Sequence, residues 1–185
     1  MNTLKLYMIL LGCRPKGRHT EQHDMFFGIG HSLSDLVPQI KAFWPELKGN
    51  IHIDAWREVT EVDGYEIKVM PRGEVVKSNQ SLFFLNLGGY KKEEFEEYHY
   101  KVLTVTGTLD EAKLHAKQTA FYKHTGFTGS HIDDRYGVDT DDAHEVKDIL
   151  PDQSKEKYKL HISHNPQAPK DTLYLGYLPL FKIPG

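Results

Sequence analysis

Two H-x-D triplets, His52–Asp54 and His131–Asp133, and two E-x-H triplets, Glu21–His23 and Glu97–His99, are the residues of this 185-residue chain whose types and spacing suit chemistry. Residues two apart on a strand project to one face, so each triplet would present an imidazole and a carboxylate side by side. Three uses follow. A carboxylate can hold each histidine in one tautomer within a polar seam, because buried polar groups must be paired. H-x-D with a distant histidine can furnish a two-histidine, one-carboxylate metal face. That spacing fixes no third ligand, so no residue is assigned to a metal. The third use is acid–base or hydrogen-bond contact with a small ligand, with His23, His52 and Asp54 as the candidates.

The loop CRPKGRHTEQHD, residues 13–24, adds charge. It carries Arg14, Lys16, Arg18 and His19 where the later half of the chain, 76 positions on, has Tyr90, Lys92, Glu94 and Phe95. Guanidinium groups bind carboxylates or phosphates through two parallel hydrogen bonds. The acidic run EEFEE, residues 93–97, would repel the same ligand. The contrast predicts one anion site, with Arg14, Lys16 and Arg18 supplying charge while His23, His52 and Asp54 orient the ligand or exchange protons with it. Cys13, at the end of an apolar run, reads as a buried inert thiol. Gly28 and Gly30 lack the third glycine of the dinucleotide fingerprint and read as easing a strand into a helix. Trp56 reads as core.

The elements that must hold these residues emerge on sliding the sequence against itself. LFFLNLGGY, residues 82–90, lies over LYMILLGCR, residues 6–14, at an offset of 76, which also places Glu21 on Glu97 and His23 on His99. At an offset of 79, IHID (51–54) meets SHID (130–133) and DGYEIK (63–68) meets DAHEVK (142–147). The opening run ends in LLGC, a lipobox-like string. Its single Lys5 and its interior counterpart nevertheless make a strand the better reading than an export signal.

Within the first half, LKLYMILL and DMFFGIG are strand-like around a turn marked by Pro15 and Gly17. Leu33, Leu36, Val37, Ile40, Phe43 and Trp44 recur at helical spacing, with Pro45 as terminator. In the second half, Thr108 and Glu111 form a capping-box pattern before Leu109, Ala112, Ala116 and Ala120. Two strand-like stretches follow each helix, HIDAWREV with GYEIKVM and HIDDRYGV with HEVKDIL. The expected fold is α+β: two tandem ββαββ repeats, residues 1–75 and 80–151, forming a pseudo-two-fold two-layer sandwich. PDQSKEK reads as a polar join to a hairpin-like extension, residues 152–185, whose apolar strands must pack on the repeats or on a second subunit.

Composition narrows the partners. A net charge of −3, from 23 basic and 26 acidic residues, is unlike that of a nucleic-acid binder. The chain lacks the roughly 20-residue apolar run of a membrane span, and a single cysteine suits the reducing cytoplasm. No cofactor is indicated.

The runs LLGCRPKGRHTEQHDMFFGIG, DLVPQIKAFWPE and HIDAWREVTEVDGYEI resemble the signature of a bacterial family, domain of unknown function 1543, over both halves to about residue 150. The resemblance implies a bacterial, cytosolic protein and carries no activity or catalytic residue with it. The expected function is therefore binding of a small anionic ligand near the 13–24 loop, with no reaction disclosed. Its rivals are a metal-dependent enzyme using the His and Asp pairs, and a non-catalytic module that forms a homodimer through its tail.

Overall fold

The computed structural model describes residues 3–47, 50–75, 78–90, 93–117 and 140–184. It is a mixed α+β structure of antiparallel sheets with few helices. The chain forms two compact units, residues 1–76 with 149–185, and residues 77–148.

In the first unit, β1 (Lys5–Cys13) is flanked by β2 (Gln22–Gly30) and β3 (His52–Glu58), and β10 (Tyr174–Pro179) adds beyond β3. The turn marked by Pro15 and Gly17 forms. Arg18 donates its backbone N–H to the Pro15 carbonyl at 3.2 Å, and Gly17 takes the positive φ, 83°, that the third turn position needs. Helix α1 (Leu33–Phe43) follows, its start fixed by Asp35 Oδ2, which accepts the backbone N–H of His31 at 2.8 Å. Leu36 and Ile40 bury its apolar stripe against Tyr7, Ile9, Leu11 and Ile53. The helix runs through Pro38 and gives way at Pro45 to a single 3₁₀ turn.

Tyr7 is 2% exposed. Burial, reinforced by the Glu58 carboxylate, pushes its hydroxyl from 10.0 up to about 12. A raised pKa gives stabilisation that is complete below the unfolded value and is lost as pH climbs through the folded one. The urea midpoint of the wild type should therefore fall between pH 10 and 12 more steeply than that of Tyr7→Phe. Parallel slopes would contradict this.

A second sheet holds β4 (Glu61–Val62), β5 (Tyr65–Pro71) and β9 (Tyr158–His164) in that order. PDQSKEK is not a plain join: Asp152–Lys157 is a short helix, α3. Nor do the tail strands form a hairpin, since β9 pairs with β5 and β10 with β3. Each finds a partner edge that the preceding chain leaves open. Asp171, between them, ties the tail to the β3–β4 connection. Its Oδ1 accepts the Thr60 N–H at 2.9 Å, the Thr60 hydroxyl at 2.7 Å and the Glu61 N–H at 3.2 Å. Arg57 stands 3.7 Å from its other oxygen, and the carboxylate is 1% exposed.

In the second unit, β6 (Ser81–Tyr90) lies between β7 (Glu97–Thr106) and β8 (Thr140–Glu145), beside α2 (Leu109–Lys117). The capping box forms: Glu111 Oε2 accepts the Thr108 N–H at 3.0 Å, and the Glu111 N–H donates to Thr108 Oγ1 at 3.2 Å. The two ladders share a register. Lys5 pairs Gly30 as Ser81 pairs Thr106, and Gly12 pairs His23 as Gly88 pairs His99. The bulge between Leu10 and Leu11 recurs between Asn86 and Leu87.

Beyond the bulge the 79-residue alignment does not hold. Tyr7 pairs Glu58 and Phe83 pairs Glu145, so DAHE occupies the place of Ala55–Glu58 in β3, not that of β5. HEVKDIL is a strand only to Glu145 and then a 3₁₀ turn. Bulge and core pattern set the pairing here, and resemblance between short acidic stretches does not. Ala120, HIDDRYGV and its His131 and Asp133 lie outside the described residues. Among the described residues no helix is long and apolar enough to cross a membrane.

Candidate functional site

One row across the first sheet builds the site. Gly12 of β1 pairs with His23 of β2 on one side and His52 of β3 on the other. Directly paired residues point to the same face, so two imidazoles flank a position with no side chain. The bulge inserts Asp54 as an extra residue on β3, and Glu21 sits just before β2.

These four side chains close a ring in which each carboxylate reaches both imidazoles. His52 Nε2 is 3.1 Å from Glu21 Oε1 and 3.3 Å from Asp54 Oδ1. His23 Nε2 is 3.2 Å from Asp54 Oδ2 and 3.8 Å from Glu21 Oε2. The space above Gly12 is theirs: a Cβ there would lie 2.3 Å from Asp54 Oδ2 and 2.4 Å from His52 Nε2.

The ring is incompletely satisfied. His52 is 6% exposed, and its Nε2 is enclosed within ion-pair distance of two oxygens yet aligned for a hydrogen bond with neither. An enclosed polar group left in that state costs about 1–3 kcal/mol. Among the described residues no group of three or more His, Cys, Asp and Glu side chains is arranged to hold a metal ion.

His52 also borders a cleft of about 710 Å³ lined by Arg14, Glu21, Lys41, Tyr177 and Phe181. Of the expected charge donors, Arg14 lines this cleft. Lys16 and Arg18 are exposed on the loop and do not. Arg14 also shapes the loop by donating to the His19 carbonyl at 3.1 Å and the Arg18 carbonyl at 3.5 Å. Lys41 escaped the sequence reading although it lies four residues beyond Val37 on the helix. Tyr177, whose ring centroid is 4.4 Å from that of His52, was accessible to no local signal, because β10 reaches β3 from over a hundred residues away. Trp56 packs against the core and stacks on Tyr174, with ring centroids 4.0 Å apart.

The second unit repeats part of the row. His99 pairs with Gly88, and its Nε2 is 3.8 Å from Glu97 Oε2.

Cys13 is buried in the core. Burial, then the Glu21 and Glu46 carboxylates, raises its thiol pKa. Thiolate is the reactive form, so a disulfide reagent at neutral pH should titrate no thiol in the native protein and one in denaturant. Rapid native labelling would contradict the buried assignment.

No curated protein sequence matches this chain. The fold is shared with the crystal structure of a protein Il1583 from Idiomarina loihiensis, at 23% identity and a TM-score of 0.65, over 96% of this chain and 97% of that one. Residues 18–69, the segment holding Glu21, His23, Lys41, His52 and Asp54, match the family model Domain of Unknown Function (DUF1543), so over that segment the resemblance read from the sequence holds.

Proposed function

We propose that the first unit binds a small anionic ligand in the cleft beside His52. Arg14 and Lys41 hold the anionic group. His52, kept in place by Glu21, Asp54 and Tyr177, forms one wall of the site. His23 positions Asp54 and contacts no ligand directly. Lys16 and Arg18 contribute long-range attraction alone. The observation that carries this reading is the cleft beside His52, which Arg14 and Lys41 line with positive charge.

Each unit holds, on the same reading, one copy of a tandem ββα-based repeat. The shared register and the recurring bulge support it. Only the first copy has been given a basic loop.

Thermal unfolding with phosphate and small carboxylates tests the binding. A ligand selective for the native state, at a hundredfold excess over its Kd, should raise the melting temperature by about 5 °C or more. The Arg14→Ala, Lys41→Ala double variant should lose that rise. No rise with any anion, or an equal rise in the double variant, overturns the proposal. Stabilisation by zinc or manganese alone, abolished by His23→Ala, would overturn it in favour of the metal-dependent rival.

A further inference from the structure

The cleft carries charge of both signs and two bare aromatic rings, a lining that a simple anion would use only in part. Arg14 and Lys41 supply positive charge, and the half-exposed Glu21 carboxylate supplies negative charge within the same space. Tyr177 is 68% exposed and Phe181 85% exposed. Leaving such rings in water forgoes the stabilisation that burying them would bring. Tyr177 is also held in place: it lies within the register shift of β10, between Leu175 and Leu178, and rests against His52.

From this lining we infer that the ligand is a small zwitterion with an aromatic or flat apolar side group, of the chemical class of an aromatic α-amino acid. The inference rests on the anion-binding reading above and narrows it. The ligand carboxylate lies on Arg14 and Lys41. Its ammonium lies on Glu21, the one anionic side chain among the described residues that line the cleft. Its side group covers Tyr177 and Phe181. A free anion lacking the ammonium leaves the Glu21 carboxylate facing it with like charge, a repulsion that the zwitterion turns into attraction.

Calorimetric titration of the full chain with L-phenylalanine, 3-phenylpropanoate and glycine tests it, because the second lacks the ammonium and the third the side group. Phenylalanine should bind at least about tenfold more tightly than either, the worth of one charge-assisted hydrogen bond or one buried ring. Glu21→Gln should weaken phenylalanine binding about tenfold more than it weakens 3-phenylpropanoate binding. Phe181→Ala, at an exposed position whose loss spares the core, should weaken phenylalanine and spare glycine.

Phenylpropanoate binding as tightly as phenylalanine would overturn the zwitterion and leave the anion site standing. Failure of all three probes together with phosphate overturns both. Sedimentation that shows a dimer dispersed by Phe181→Ala would also overturn the inference, since the rings would then be covered by a second copy of the chain.

Discussion

Gly12→Ala should keep the fold and abolish the site. Gly12 is not among the residues with positive φ, so the backbone accepts a side chain. The new methyl would nevertheless stand 2.3 Å from Asp54 Oδ2 and 2.4 Å from His52 Nε2. Asp54 can swing aside. The His52 ring cannot move freely, since it is 6% exposed and rests against Tyr177. Overpacking of this kind costs about 1–3 kcal/mol, read as a lower urea midpoint with an unchanged m-value. The larger effect should fall on binding. With the ring of four opened, stabilisation by any cleft ligand should disappear, while far-ultraviolet circular dichroism stays that of the wild type. A variant that is stabilised by ligand as fully as the wild type would show that Gly12 is mere spacing.

Asp171→Ala should cost about 3 kcal/mol, the largest single-residue loss expected outside the core. The substitution removes the acceptor for two backbone N–H groups and a hydroxyl, and leaves Arg57 without its facing carboxylate. Arg57 is itself largely enclosed, and burial lowers its pKa despite Asp171. Leaving donors and a buried charge unpaired carries the full desolvation penalty, moderated here because Thr60 reaches solvent. Asp171→Asn retains one carbonyl acceptor and should cost about half as much. Amide exchange localises the effect, with protection at Thr60 and Glu61 lost first. Because the same tail carries Tyr177, ligand binding should weaken with the latch. A loss below about 0.5 kcal/mol would contradict this role.

What local chemistry dictates was readable in the sequence, and what distant pairing dictates was not. The stripe Leu33, Leu36, Ile40 announces α1, Thr108 with Glu111 announces the start of α2, and Pro15 with Gly17 the turn. The 76-residue offset reproduces the β1–β2 register in β6–β7 residue for residue. It fails at the next strand, where an acidic resemblance at 79 residues misplaced DAHE, because the bulge controls which residues face β6.

The pairing of β5 with β9 joins Tyr65 to His164. Both strands alternate weakly, so no periodicity foretells the partner. For the site, strand geometry and spacing brought out His23, His52 and Asp54, and Glu21 came with them. Lys16 and Arg18 were included for charge alone, whereas Lys41 and Tyr177 enter through tertiary packing that no local signal encodes.

The most direct measurement is a titration of imidazole and backbone ¹⁵N resonances with phenylalanine and, separately, phosphate. Saturable shifts are expected at His52 and in residues around Arg14, Lys41 and Tyr177, with Lys16 and Arg18 scarcely moved. Shifts confined to the 16–19 loop, or none at His52, would contradict a ligand site centred on the His23–Gly12–His52 row.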